Sequence, residues 1–149
     1  MYDVRRMVKI TDIHTPGVAD LLITLSGGEV AAGFPSPADD YIENPLDLND
    51  FVTRHPASTF FVRVEGVSMI NGGIKDRDIL VVDRVLEAHT GHVVVAVING
   101  EMVVKRLQCR NGKWHLVPEN SSYKPVEITE DLDCVIWGVV THVLHTLVS

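Results

Sequence analysis

The stretch that decides the fold is FFVRVEGVSMINGGI, residues 60–74. Its first six residues alternate apolar and polar side chains after a paired aromatic start, which is typical of a half-buried strand. Gly66 ends this strand, and Gly72-Gly73 marks a second break. Ser68 lies between the two breaks, where a rigid strand gives way to a tight turn. Such a junction can aim a catalytic side chain, although a serine that only satisfies a turn is the more ordinary interpretation of this stretch alone.

Short apolar runs separated by turn signals follow this stretch to the end of the chain. Strands are predicted at residues 60–65, 78–83, 92–98, 101–108, 113–117, 126–128 and 134–142. Strands spaced this closely leave no room for alternating helices. The sequence therefore predicts a single compact, mostly β domain over residues 53–149.

The chain before this domain is predicted to be an arm and a linker. Residues 1–32 are too few for a core of their own, and they lack the two helices of a helix-turn-helix DNA-binding motif. Residues 33–52 contain Pro35 and Pro37 and then acidic residues, a pattern that favours extended backbone over helix.

The junction between arm and linker has small side chains. Ala32 and Gly33, in extended backbone, would fit easily into a protease cleft. A flexible linker without that role is the equal alternative.

Composition limits the class of protein. The chain has 149 residues, 46% of them hydrophobic, and a net charge of −7, which argues against a dedicated DNA-binding surface. Its two cysteines, Cys109 and Cys134, have no metal or redox spacing. The apolar run at residues 21–25 is too short for a signal peptide, and no stretch reaches the ~18 apolar residues of a membrane span. These features predict a cytoplasmic protein that does not enter a membrane.

The clearest local signal is a hairpin that places a lysine among apolar side chains. Asn99-Gly100 lies between two β-branched runs and predicts a two-residue type I′ turn. In that register Val94 lies opposite Lys105, and Lys105 shares a face with Val103.

An amine on an apolar face is disfavoured in its charged form. Burial would lower the pKa of Lys105 from its ordinary value of about 10.4, and a neutral lysine can act as a general base towards a serine hydroxyl. The alternative is a lysine whose stem lies along the sheet and whose ammonium reaches water.

Taken together, these residues resemble the self-cleaving Ser/Lys peptidases of the LexA/UmuD type, and most closely the UmuD branch of mutagenesis proteins of the SOS response. The matching segments, whose order along the chain makes the match specific, are Gly66-Val67-Ser68-Met69, residues 78–84, residues 103–107, Pro118-Glu119-Asn120 before Tyr123, residues 137–140, and the cleavage-site region 31–37. The likeness covers residues 30–142.

The resemblance implies a LexA/signal-peptidase-like β domain with an N-terminal arm that the protein removes itself. It implies that Ser68 is the nucleophile and Lys105 the neutral general base. The backbone amides of Val67 and Ser68 would form the oxyanion hole, and the bond between Ala32 and Gly33 would be cut. The reaction needs no cofactor.

The resemblance also implies partners. Cleavage would be stimulated by the RecA filament on single-stranded DNA, and the processed homodimer would join an error-prone translesion polymerase of the UmuC type. No direct sequence-specific contact with DNA is expected.

Three positions depart from the family pattern. Asn71 and Arg77 stand where the family often has Asp and Gly, and His92 replaces a frequent Asp beside the hairpin.

Three other functions are weighed against self-cleavage. The first is a Ser/Lys protease that acts on other proteins, and the second is a β-rich interaction module without activity. The third is a metal site, for which the candidates are His142 and His145 with His89 and His92. A spacing of three residues puts His142 and His145 on opposite faces of a strand, so no metal site is predicted.

Overall fold

The computed structural model describes residues 9–16, 22–26, 42–66 and 69–148. The chain divides into two compact units. The first, called the body below, comprises Met1–Pro16 with His55–Ser149, and the second comprises Gly17–Arg54.

The described residues form ten strands and one short α-helix. The strands are β1 (Lys9–His14), β2 (Leu22–Ser26), β3 (Ile42–Asp47), β4 (Thr59–Glu65), β5 (Ile79–Asp83), β6 (Val93–Ile98), β7 (Glu101–Arg110), β8 (Lys113–Val117), β9 (Val126–Glu127) and β10 (Cys134–Leu144). The helix, α1, is Leu48–Val52. The mostly β fold is confirmed, and every strand predicted from residue 60 onward is present.

The body is one antiparallel sheet that closes on itself. Its strand order is β1-β4-β5-β10-β6-β7-β8-β9. β1 also pairs with β7, where Lys9 lies opposite Val103. Six strands therefore form a ring, and β8 and β9 extend from β7. Closure of this kind removes the unpaired edges that an open sheet would expose.

The β6–β7 hairpin has the predicted register. Val94 pairs with Lys105, and Ile98 pairs with Glu101 at the turn. Asn99 and Gly100 have φ values of 49° and 82°. A type I′ turn requires positive φ at both central residues, and this turn matches the right-handed twist of the strands.

The alternation of side chains along β6 and β7 separates two apolar clusters. One face contributes Val95 and Val104 to a cluster that also contains Val62, Val64, Met69, Ile74, Leu80 and Val82. The opposite face contributes residues to a second cluster, which contains Val94, Ala96, Ile98, Val103, Leu107, Leu116 and Val139. Lys105 lies on the face of the second cluster, because it pairs with Val94.

The second unit contains a two-stranded sheet and the helix. β2 and β3 pair antiparallel, and Pro45 lies opposite Thr24. Each strand of a two-stranded sheet is an edge strand, which is where a proline is tolerated. The Asp47 side chain accepts hydrogen bonds from the amides of Asn49 and Asp50 at 3.0 and 3.3 Å and caps the start of α1. Residues 42–52 of the predicted linker therefore have regular structure.

Candidate active site

Lys105 is the centre of the candidate site. It lies in the middle of β7, and 1% of its surface is exposed, although it is a lysine. Val103 and Leu107, its neighbours on the same face, are 2% and 4% exposed, and Val94 opposite is fully buried. The predicted burial of Lys105 is confirmed, and the alternative in which its ammonium reaches bulk water is excluded.

The pKa of Lys105 is lowered from 10.5 to about 8 by burial. Burial removes water from the ammonium and so favours the neutral amine. The ring of Tyr123 lies with its centroid 5.8 Å from Nζ, a contact that favours the charged form, but the effect of burial is larger. With a pKa of about 8, about a tenth of these amines are neutral at pH 7.

The segment around Ser68 is described on both sides of the predicted nucleophile. β4 ends at Glu65, and Gly66 follows with a φ of 117°. On the other side, Met69 is fully buried and begins the short 3₁₀ turn Ile70–Gly72. The predicted change from strand to tight turn is confirmed at these flanks. Val67 and Ser68 lie outside the described residues, as do Ala32 and Gly33 of the predicted cleavage site.

A second segment, residues 118–120, contacts the turn that follows Ser68. The amide of Asn71 donates to the carbonyl oxygen of Glu119 at 2.8 Å, and the amide of Glu119 donates to Sδ of Met69 at 3.4 Å. The carboxylate of Glu119 accepts a hydrogen bond from Nε of Arg106, the residue next to Lys105. Pro118-Glu119-Asn120 is one of the segments that carry the resemblance, and the sequence alone predicts no role for it.

The match to known proteins agrees with this geometry. Residues 24–141 match the Peptidase S24-like family. The chain belongs to the Peptidase S24-like family. Protein MucA of Salmonella typhimurium is 48% identical over 116 residues, which are 77% of this chain and 79% of MucA. Protein ImpA of Shigella flexneri is 46% identical over 114 residues, 76% of this chain and 77% of ImpA. The LexA repressor of Stenotrophomonas maltophilia is 39% identical over 131 residues, 87% of this chain and 62% of the repressor.

These relationships confirm the resemblance to the LexA/UmuD type. The S24-like peptidases are self-cleaving serine peptidases, so the chain is an enzyme of that class. MucA, ImpA and SamA of Salmonella typhimurium place it among the UmuD-like proteins of SOS mutagenesis.

The histidines that were considered as metal ligands have other partners. Nδ1 of His145 lies 2.7 Å from Oδ1 of Asp78, a carboxylate that is 2% exposed. Nδ1 of His92 accepts a hydrogen bond from the amide of His89 at 3.1 Å. Within the described ranges, no three His, Cys, Asp or Glu side chains are grouped so that they could hold a metal ion. None of the helices in those ranges is long and apolar enough to cross a membrane.

Arg77, one of the departures from the S24-like pattern, lies in a strained backbone conformation. Its φ is 70°, in the left-handed region that suits glycine. Two hydrogen bonds hold Arg77 in the turn: its amide donates to the carbonyl oxygen of Val64 at 2.8 Å, and its carbonyl oxygen accepts from Nη1 of Arg63 at 3.2 Å. The strain at Arg77 therefore lowers the free energy of unfolding.

We expect Arg77→Gly to raise the free energy of unfolding by about 0.5–1 kcal/mol, because glycine adopts this φ without strain. Urea denaturation of the two proteins measures the difference. Arg77→Ala removes the same charged side chain but keeps the strain, so it should match the parent protein. Equal stability of the Gly and Ala variants would contradict the explanation.

Proposed function

We propose that this protein cuts its own chain between Ala32 and Gly33, with Ser68 as the nucleophile and Lys105 as the general base. The observation that supports this proposal best is the burial of Lys105, which leaves a neutral amine available near pH 8. A buried lysine with no use for its neutral form would only destabilise the fold.

The reaction is an acyl transfer within the chain. Nζ of Lys105 takes the proton of the Ser68 hydroxyl, and the hydroxyl oxygen attacks the carbonyl carbon of Ala32. The amides of Val67 and Ser68 stabilise the negative charge on the carbonyl oxygen. The bond to Gly33 then breaks, and its nitrogen leaves as an amine after taking the proton from Lys105. Water attacks the ester on Ser68, with Lys105 again as base, and restores the free hydroxyl.

The proposal extends to regulation and partners. The reaction is stimulated by a RecA filament on single-stranded DNA, which would shift the arm towards its docked state. The processed chain forms a homodimer in the bacterial cytoplasm and joins an error-prone translesion polymerase of the UmuC type. Support comes from membership of the S24-like family and from the mutagenesis relatives.

We expect the purified 149-residue chain to convert, without a partner, into fragments 1–32 and 33–149. The rate should rise about tenfold per pH unit up to about pH 8 and then level, because it follows the neutral fraction of Lys105. Intact-mass spectrometry of samples held between pH 6 and pH 10 measures both the products and the profile.

A rate that does not change with pH would contradict the general-base role of Lys105. A rate constant that is independent of protein concentration indicates cutting within one molecule or within one stable dimer, rather than on collision of separate molecules. Cleavage of an added unrelated protein would instead support the protease that acts on other chains.

A further inference from the structure

Arg106 and Lys105 are adjacent on β7 and face opposite sides of the sheet. Lys105 is buried on the face of the sheet that carries the second apolar cluster. Arg106 is half-buried on the opposite face, with 27% of its side chain exposed. Nη1 of Arg106 donates to the carbonyl oxygen of Gly91 at 2.6 Å, and its Nε donates to Oε1 of Glu119. The guanidinium is therefore held at two points.

Glu119 joins this arginine to the turn that follows Ser68. Its backbone contacts both Asn71 and Met69, as described above. The packing against Gly72 is close, since a Cβ added at Gly72 would lie 2.8 Å from Cγ of Glu119. We call the contacts of Glu119 with Arg106, Asn71, Gly72 and Met69 the Glu119 brace.

We propose that Arg106 and Glu119 are positioning residues for self-cleavage, because the Glu119 brace fixes the turn after Ser68 to the strand that contains Lys105. This inference rests on the proposed Ser68/Lys105 reaction and adds two residues that act through the turn and the strand rather than as nucleophile or base. The brace acts from the face of β7 opposite to Lys105.

The physical basis is the sensitivity of acyl transfer to distance. A displacement of a reacting atom by about 1 Å can slow a reaction about a hundredfold. A charge-assisted hydrogen bond between a guanidinium and a carboxylate is short and directional, so it limits such displacements better than a neutral amide would. Glu119→Gln keeps the size of the side chain and the backbone contacts, and it removes only the charge.

We expect Glu119→Gln and Arg106→Gln each to lower the plateau rate of self-cleavage about 10- to 100-fold. The pH midpoint should stay at about 8, since Lys105 remains buried on the other face. A general loosening of the fold would instead let water reach Lys105 and move the midpoint towards 10.5. The double variant should be no slower than Arg106→Gln alone, because Arg106→Gln already breaks the interaction with Glu119. Exchange of the two residues, Arg106→Glu with Glu119→Arg, should restore part of the rate.

Arg110→Gln is the matched control. Arg110 lies on the same face of β7 as Arg106, and its side chain contacts Gln108 at 2.6 Å rather than Glu119. It should cut within about twofold of the parent rate, as surface substitutions usually have small effects. A parent-like rate in Glu119→Gln, or a shifted midpoint, would overturn the brace and leave the dyad intact. Continued cutting in Ser68→Ala would overturn the dyad itself.

Discussion

Ser68→Ala and Lys105→Ala are each expected to slow cleavage between Ala32 and Gly33 by about 10³-fold or more. The first removes the oxygen that attacks the carbonyl. The second removes the amine that accepts its proton, and the described neighbours of Lys105 on its face of the sheet, Val103, Leu107 and Val94, are apolar and cannot replace it as a base. Because the two groups act in one step, the double variant should be no slower than either single variant. Intact mass after incubation at pH 9 measures the remaining activity.

Two exposed residues of the same types provide controls. Lys113 lies at the start of β8 and Ser121 in the turn before Tyr123, and both are exposed. Lys113→Ala and Ser121→Ala should cut at the parent rate. The roles of Ser68 and Lys105 would be contradicted if either alanine variant released the fragment that begins at Gly33 at the parent rate. Thermal unfolding of each variant shows whether a loss of activity comes from a loss of the fold.

The burial of Lys105 could be predicted because a local rule determines it. A two-residue loop at Asn99-Gly100 allows one register, and this register decides which side chains lie opposite each other several residues away. With Val94 opposite Lys105, the alternation of side chains between the two faces of the strand puts the amine on an apolar face. Each step depends on residues that are near one another in the sequence.

β1 and β3 were not predicted, for the opposite reason. Lys9–His14 contains four charged or polar residues and two isoleucines, and its register against β4 shifts between Ile10 and Asp12. It is a strand because β4 and β7 pair with it, and those strands are far along the chain. β3 contains Pro45, which argues against a central strand and is compatible only with an edge. Pairing at long range overrides weak local preference in both strands.

The same distinction holds within the site. The strand-to-turn junction around Ser68 follows from Gly66 and Gly72-Gly73, but the contacts of Glu119 with Asn71 and Met69 join segments about fifty residues apart. No periodicity or spacing in the sequence places Glu119 against that turn. A motif match marked the segment, and only the folded chain shows which atoms it contacts.

Lys105→Met is expected to make the protein more stable at pH 7, by about 2–3 kcal/mol, while it abolishes cleavage. A pKa lowered from 10.5 to about 8 means that the fold disfavours the ammonium by about 3 kcal/mol. This cost is fully present below pH 8, where the lysine is charged in both the folded and the unfolded chain. It declines as pH rises from 8 to 10.5, because the folded chain has then released the proton and the unfolded chain still binds it. Methionine has a similar length and fills the same apolar face without a charge.

The difference in the free energy of unfolding between Lys105→Met and the parent, measured by urea denaturation, should therefore shrink by about 3 kcal/mol between pH 8 and pH 10.5. Both proteins should carry Ser68→Ala, so that the chain stays whole during the measurement. Lys113→Met changes an exposed lysine and should show no such dependence on pH. If the difference in the free energy of unfolding is the same at pH 7 and pH 10.5, then Lys105 has the same pKa in the folded and the unfolded chain. The burial of its amine would then not supply the neutral base on which the proposed cleavage depends.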